Sequence, residues 1–221
     1  MRNVRRVAKP NILLQKEEEW KRELLEELAK GNNASKKRLD TLYKKYAHPE
    51  IRNSLKKMYK YCCYCESRIR HVTTDHIEHR KPKAKDKFPE LTFEWDNLHL
   101  ACPNCNGLKS DQWDNENPIL DAVNDIPISL HLEYRRCQRH PKNGSKRGKT
   151  TRDHAQLNRD ELVEAREELY PLIMDVIEDY NNAPHAPGND IAHVKLSKMA
   201  KGQFGSFVEY LVKTFMINEN N

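Results

Sequence analysis

Two Cys-x-x-Cys pairs constrain the fold of this chain more than any other feature of its sequence. Cys62 and Cys65 form the first pair, Cys102 and Cys105 form the second, and 36 residues separate them. One such turn lets two thiolates reach a single ion, and two turns complete a tetrahedral zinc site with Zn–S distances of ~2.3 Å. The sequence therefore predicts structural Zn²⁺ bound by these four cysteines, with a functional insert between the pairs. A redox pair or coincidental core thiols are the alternative interpretations.

The composition favours the zinc interpretation. Of the 221 residues, 37% are hydrophobic and 33% are charged, whereas a typical soluble domain has ~45–50% and ~25%. A closed zinc site can add on the order of 10 kcal/mol to folding, which would supplement such a lean core. The chain has no apolar run of ~18 residues and no secretory signal, so we expect a cytoplasmic protein with no membrane association. Cysteines in that compartment are metal ligands more often than disulfides.

The insert contains an Asp-His pair, Asp75-His76, and Asn106 directly follows the second cysteine pair. A carboxylate suits a hard divalent cation, and an imidazole, whose ordinary pKa is near neutrality, can take a proton from water. Metal-assisted phosphodiester hydrolysis needs both groups. Because Asn106 follows a predicted zinc ligand, the zinc site would fix it in space as a second ligand to Mg²⁺ or Mn²⁺. A surface pair without function is the alternative for Asp75 and His76 taken alone.

The order of these motifs resembles the HNH nuclease family. That family has a ββα-metal fold, in which a two-stranded hairpin and a helix surround one divalent ion. The resemblance implies that His76 is the general base and that Asp75 and Asn106 bind the catalytic cation. It also implies that Asn97 orders the hairpin loop. His79 stands where many HNH proteins have proline, so Glu78-His79 adds a second possible ligand or base. The alternative for His79 is a hairpin histidine that contacts phosphate or solvent.

A further resemblance covers most of the chain. Residues 62–66, 76–83, 89–97 and 157–159 resemble the PtuB family. PtuB proteins are the HNH effectors of PtuA–PtuB anti-phage systems, also called Septu, which occur with some retrons as well. The resemblance implies a nuclease of bacterial defence that is held in check by a PtuA-like ABC/SMC-like ATPase. Retron components are a further expected partner.

The net charge of +6 is the sum of three unequal segments. Residues 1–60 contain 17 Lys and Arg against 8 Asp and Glu, residues 61–150 contain 15 against 13, and residues 151–221 contain 7 against 12. The basic N-terminal third could meet phosphates through counterion release, or it could be a solvated helical face.

A second group of basic residues follows His76 within a few positions. We expect them to bind the backbone of a nucleic-acid substrate, with DNA as the first candidate and RNA as the alternative; they are Arg80, Lys81, Lys83 and Lys85. Lys109 lies one turn after Asn106, where it could contact the scissile phosphate or simply decorate the helix.

Helical periodicity flanks the cysteine-rich centre on both sides. The predicted fold is mainly α, with a small ββα-metal (HNH) module stapled by a four-cysteine zinc site. We divide the chain into a basic N-terminal helical region (1–60), the zinc-stapled HNH nuclease module (61–113), and a connector with a C-terminal helical region (114–221). The basic segment from 138 to 150 contains Pro and Gly, which predicts an irregular, mobile loop.

The leading hypothesis is a metal-dependent HNH endonuclease. The alternative is a zinc-ribbon module that binds nucleic acid or a partner without cleaving it. The Asp75-His76 pair favours the nuclease, because a binding ribbon does not require it.

Overall fold

The structure is a computed structural model that describes residues 1–69, 75–182 and 189–217. Eight α-helices and four short β-strands lie in these ranges. The helices are α1 (Asn11–Ala29), α2 (Lys36–Lys44), α3 (Pro49–Met58), α4 (Pro103–Lys109), α5 (Lys146–His154), α6 (Asp160–Asn182), α7 (Asn189–Ala200) and α8 (Gly205–Phe215). The strands are β1 (His76–His79), β2 (Leu98–Ala101), β3 (Leu132–Arg135) and β4 (Gln138–Pro141). The predicted mainly helical fold with a small ββα module is confirmed.

The first three helices pack together through a narrow apolar stripe. Leu13, Trp20 and Leu24 recur at helical spacing along α1 and are buried. Ser35 caps α2 by accepting a hydrogen bond from the Arg38 amide at 3.3 Å, as expected for a serine before a helix. Pro49 occupies the first turn of α3, where its missing amide hydrogen costs nothing.

The ββα module follows these helices. Strands β1 and β2 pair antiparallel in a register that places His76 opposite Ala101 and His79 opposite Leu98. Helix α4 begins two residues after β2, with Cys102 as its N-cap. The hairpin and helix therefore bring the two ends of the insert together, next to the second cysteine pair.

The basic segment after residue 131 does not form the mobile loop predicted for residues 138–150. Strands β3 and β4 make an antiparallel hairpin, and α5 follows it. The side chain of Asn158 accepts from the Arg139 amide at 2.7 Å and donates to its carbonyl at 2.8 Å. A Cβ on Gly148 would lie 2.1 Å from the carbonyl oxygen of His131. This glycine thus permits close packing of α5, whereas the sequence pattern suggested flexibility.

The three C-terminal helices form the other helical part of the molecule. Their buried apolar side chains include Ile173 and Ile177 of α6 and Phe207 and Leu211 of α8. Pro171 lies inside α6. Within the described ranges, the structure contains no helix with the length and apolarity needed to cross a membrane.

A buried carboxylate joins distant parts of the fold. Glu66 directly follows the first cysteine pair and is 1% exposed. It pairs with the Met1 amine, with Arg2 at 3.0 Å and with Arg139 at 3.2 Å, and it accepts from the Ser206 amide at 2.9 Å. Burial opposes ionisation, but the three cations outweigh it and lower the pKa of Glu66 to about 2. The cysteine-rich centre is thereby fixed to the N-terminus, β4 and α8.

Candidate active site and cysteine cluster

The four cysteines of the two pairs converge on one point. Their sulfur atoms all lie within 4.8 Å of one another and all four residues are buried. The Sγ atoms of Cys65 and Cys102 are 3.8 Å apart. Four sulfurs at ~2.3 Å from a tetrahedral ion would be separated by about 3.8 Å. Since none of the four forms a disulfide, the cluster fits a tetrahedral metal ion.

The surroundings of the cluster also suit metal-bound thiolates. The amides of Ser67 and Cys105 each lie 3.4 Å from a cysteine sulfur. The Arg159 guanidinium lies 3.5 Å from the Cys105 sulfur. Amide donors and one cation offset the negative charge that four thiolates would leave around a divalent ion. The two remaining cysteines of the chain, Cys63 and Cys137, lie outside this cluster.

His76 and Asn106 contact each other in the candidate active site. His76 is exposed at the start of β1, and Asn106 lies in the first turn of α4, directly after Cys105. Asn106 Nδ2 is 3.3 Å from His76 Nδ1. Two residues that are 30 positions apart are thus brought within hydrogen-bond distance by the hairpin and by the cysteine cluster.

Asp75 faces a different neighbour. One of its carboxylate oxygens is 2.5 Å from Arg52 Nη1, and the other is 3.0 Å from Lys56 Nζ, both on α3. Burial opposes its ionisation, but the hydrogen bond from Lys56 and the charge of Arg52 lower the pKa of Asp75. The carboxylate is therefore ionised, as a cation ligand must be. Among the described contacts, however, it is joined to two protein cations and not to Asn106.

Asn97 holds the loop between the two strands. Its Oδ1 accepts from the Lys81 amide at 2.7 Å, and its Nδ2 donates to the carbonyls of Lys81 and Leu91 at 3.0 and 3.1 Å. The residue is 5% exposed. It thus closes the segment from β1 to β2 and does not face the His76 side chain.

His79 lies inside the molecule. Its Nε2 is 2.9 Å from the carbonyl oxygen of Thr92, and its ring stands edge-on to Tyr46 at 4.6 Å. Burial lowers the pKa of His79 to about 3, and the charge of Lys83 adds to this effect. A carbonyl can only accept, so Nε2 carries the proton of a neutral ring. These contacts give His79 a packing role and make His76 the accessible histidine of the pair.

Lys109 also points inward. Its side chain is fully buried, with Nζ 2.8 Å from Glu78 Oε1 and 2.9 Å from the His79 carbonyl oxygen. The Tyr64 hydroxyl donates to the same Glu78 oxygen at 3.0 Å. Burial raises the pKa of Glu78, although Lys109 opposes this. In this position Lys109 joins α4 to β1 and is not available to a phosphate on the surface.

The four basic residues after the hairpin differ in accessibility. Arg80 is committed to Asp121 at 3.3 Å and to the Ile119 carbonyl at 2.8 Å. Lys81 lies over the Phe88 ring at 5.3 Å, whereas Lys83 is half-buried over Tyr46 at 5.2 Å. Lys85 is exposed.

Lys83 and Lys85 line a groove of about 700 Å³ that also reaches Asn106 and Tyr46. Because Asn106 contributes to its wall, this groove is a candidate surface for a substrate backbone beside the His76–Asn106 contact.

Two contributors to this region were not singled out from the sequence. They are Arg52 and Lys56, which contact Asp75 from α3. No motif marks them, because they reach Asp75 only through the packing of α3 against the domain. Glu78, considered from the sequence as a possible ligand or base, is instead buried and paired with Lys109.

Comparisons with known proteins identify the module. Residues 62–112 match the family model described as HNH endonuclease, and the chain therefore carries an HNH endonuclease domain. Over 136 residues it is 31% identical to Septu protein PtuB of Bacillus thuringiensis, an alignment that covers 58% of this chain and 51% of the relative. Over 154 residues it is 30% identical to Septu protein PtuB of Bacillus mycoides strain KBAB4, with 56% and 52% covered.

The chain spans about half the length of the curated relatives that it matches. No solved structure matches it. The HNH domain is therefore shown for residues 62–112, and the similarity to PtuB is shown for somewhat more than half of the chain.

Proposed function

We propose that this protein is a metal-dependent HNH endonuclease that hydrolyses nucleic-acid phosphodiesters. The observation that supports this proposal most directly is the 3.3 Å contact between His76 and Asn106. It is formed inside the HNH domain and adjacent to the cysteine cluster. Metal-assisted phosphodiester hydrolysis needs an exposed base beside a cation ligand on a rigid support. These two side chains, one on a strand and the other at the start of a helix, meet that need.

Each residue of the site has a separate role in the proposed reaction. His76 accepts a proton from water as the water attacks phosphorus. Asp75 and Asn106 are the side chains that would hold a divalent cation, since carboxylate and amide oxygens suit Mg²⁺ or Mn²⁺. When bound, such a cation stabilises charge on the phosphate and on the leaving oxygen. Zn²⁺ in the four-cysteine cluster is structural in this proposal and takes no part in the chemistry.

To bind the divalent cation, the Asp75 carboxylate must either contact the cation in addition to Arg52 and Lys56 or release these two side chains. Both partners are partly exposed on α3. Cationic side chains beside a scissile phosphate can also bind its oxygens. The proposed exchange is therefore a move of Arg52 and Lys56 from Asp75 onto substrate phosphate, which leaves the carboxylate to the cation.

The proposed substrate is DNA. RNA is the alternative, because hydrolysis of either nucleic acid requires only a phosphodiester. The groove beside Asn106 supports backbone binding by Lys83 and Lys85, and we propose that Arg80 and Lys81, which precede them in the chain, add to the same basic surface. Similarity to PtuB leads us to propose a cytoplasmic role in anti-phage defence with a PtuA-like ATPase as partner. No feature of the described residues favours retron components, so the proposal omits them.

Cleavage assays test the proposal directly. Wild type and His76→Ala are incubated with supercoiled plasmid and with structured RNA, with Mg²⁺, Mn²⁺ or EDTA, alone and with the ATPase. We expect His76→Ala to lose at least ~100-fold in rate, the scale of general-base catalysis, while metal content and melting temperature stay unchanged. His193→Ala, which changes an exposed histidine on α7, is the matched control.

Two outcomes would contradict the nuclease. Full activity of His76→Ala would refute the assignment of the base. Retained nucleic-acid binding by a wild type that cleaves nothing under any of these conditions would favour the zinc-ribbon binding module.

A further inference from the structure

A second groove, of about 750 Å³, lies between the N-terminal segment and the C-terminal end of α3. Six of the residues that line it are Arg or Lys, and within the described ranges its lining contains neither Asp nor Glu. Four of the six are exposed and form no ion pair in the described part of the chain. We call this surface the basic groove and define it by these four cations: Arg5, Lys57, Lys60 and Lys201.

The N-terminal wall of the basic groove is fixed by contacts on either side of Arg5. Exposure alternates along residues 2–6, with Asn3 and Arg5 exposed and the residues between and beside them partly buried. Arg2 and Arg6 turn inward, where Arg2 pairs with Glu66 at 3.0 Å and Arg6 donates to the Leu98 carbonyl at 2.7 Å. The Val4 amide donates to the Ala122 carbonyl at 2.8 Å. Arg5 is therefore held outward on a backbone that is anchored on both sides.

The charge arrangement here differs from the ordinary solvated helix surface in the same molecule. On α1, partly exposed lysines pair with acidic neighbours one turn away, as in Lys16–Glu19 and Lys21–Glu18. Among the residues that the structure describes, the four cations of the basic groove have no acidic partner, so their charges repel one another. A positive concave surface of this kind raises the local concentration of anions. Among anions, a polyanion such as a nucleic acid gains most from binding here, because the counterions condensed on its phosphates are released.

Helix α3 connects the basic groove to the candidate active site. Arg52 and Lys56 contact Asp75, and Lys57 follows on the adjacent face of the same helix. Arg52 and Lys57 are five residues apart, which corresponds to an axial rise of ~8 Å on different faces of the helix. The basic groove and the candidate active site are therefore both supported by α3.

We propose that the basic groove is a second nucleic-acid-binding site that grips phosphates without reading the base sequence. It would bind the backbone on one side of the scissile phosphate, whereas the groove beside Asn106 binds the other side. The part of this proposal that concerns the scissile phosphate rests on the proposed nuclease function. Binding itself requires only the four cations and does not depend on cleavage.

The test separates binding from cleavage. A His76→Ala parent, purified as the full chain with its bound metal, is compared with the same parent carrying Arg5→Ala, Lys57→Ala, Lys60→Ala and Lys201→Ala. Binding of labelled duplex DNA is measured from low to physiological salt. The matched control carries Lys36→Ala, Lys37→Ala, Lys195→Ala and Lys198→Ala, which remove equal charge from exposed positions on α2 and α7.

We expect the groove variant to bind at least about tenfold more weakly and to lose about 3.6 units from the slope of log affinity against log salt, because each of four lost phosphate contacts contributes ~0.9 on duplex DNA. The control should lose much less. Equal affinities and slopes for groove variant and parent would overturn the proposal, as would a parent that binds no DNA at low salt. Unchanged DNA binding with loss of an ATPase complex would also overturn it, since the groove would then be a protein interface.

The same four substitutions are introduced into the protein that retains His76, so that the binding proposal and the nuclease proposal can be tested separately. A groove variant that cleaves with raised KM and nearly unchanged kcat supports the second binding site. A wild type that never cleaves, combined with groove-dependent DNA binding by the parent, would remove the nuclease proposal and leave the groove in place.

Discussion

Lys109 Nζ and Glu78 Oε1 lie 2.8 Å apart in the interior of the HNH domain, and neither side chain is more than 3% exposed. Lys109 stands one turn after Asn106 on α4, and Glu78 stands two residues after His76 on β1. The ion pair therefore joins the two elements that present the candidate catalytic residues. It fixes their separation from within the domain, out of contact with solvent.

Breaking this pair is expected to destabilise the domain. Lys109→Met would leave the Glu78 carboxylate buried beside a thioether, and removal of one partner of a buried pair typically costs ~3–5 kcal/mol. The double variant Glu78→Gln with Lys109→Met should recover much of that loss, because no isolated charge remains. Urea unfolding of both variants measures the effect, and Lys87→Met provides a control at an exposed lysine.

Activity gives a second measure of the same pair. If the pair positions His76 and Asn106, the double variant should fold but cleave more slowly, with kcat lowered more than KM is raised. A double variant as stable and as active as wild type would show that the pair has no positioning role. A Lys109→Met protein that loses no stability would contradict the burial of the pair.

Metal removal is expected to unfold the centre of the chain. The cysteine cluster supports α4, β2 and the loop that contains Glu66, and structural zinc can contribute on the order of 10 kcal/mol to folding. Cys105→Ser should therefore lose bound zinc and melt at a much lower temperature. Cys137→Ser should keep both, since Cys137 is buried outside the cluster. Metal analysis and calorimetry of the two variants provide the measurements, and equal zinc contents would rule out the four-cysteine site.

Asn97→Ala is expected to loosen the loop between β1 and β2. The amide side chain satisfies the Lys81 amide and the carbonyls of Lys81 and Leu91. Loss of these bonds in a buried position should cost about 3 kcal/mol in unfolding free energy, since buried groups left unsatisfied cost ~1–3 kcal/mol each. Asn104→Ala, at an exposed position of α4, should change it by less than ~0.5 kcal/mol. Similar losses for the two variants would contradict the assigned role of Asn97.

The local arrangement of the site was predictable from sequence because its residues lie in short motifs. The two cysteine pairs predicted a four-sulfur cluster, and the position of Asn106 directly after Cys105 indicated that it would be held near the hairpin. A contact such as Asn106–His76 follows once the ββα order is recognised. The fold class was accessible for the same reason, since helical periodicity flanked a centre that lacked it.

Long-range partners were not predictable in the same way. Lys109 reads as a surface lysine until the structure shows Glu78 across from it, because charge alone does not indicate burial. Arg52 and Lys56 meet Asp75 only through the packing of α3 against the domain. The segment from 138 to 150 was predicted to be irregular from its Pro, Gly and charge content. Its order depends on Asn158 and Glu66, which are distant in sequence.

His79 should make stability depend on pH in a direction opposite to that of a surface histidine near a carboxylate. Its pKa is about 3 in the folded protein and ~6.5 in the unfolded chain. Between these values the unfolded state binds about one more proton, so the unfolding free energy rises with pH. The contribution of the neutral, buried ring is fully present above pH ~6.5 and is lost at up to ~1.4 kcal/mol per pH unit as the pH falls towards 3.

His79→Gln isolates this contribution, because glutamine can still donate to the Thr92 carbonyl but does not titrate. Urea unfolding between pH 5 and 8 should give a shallower pH dependence for His79→Gln than for wild type, with the curves diverging below pH ~6.5. Titration of the cysteines affects both proteins alike and cancels in the difference. His193→Gln, on the exposed surface of α7, should follow wild type. If His79→Gln and wild type give parallel curves, then His79 is not buried as a neutral ring, and it returns as a candidate base beside His76.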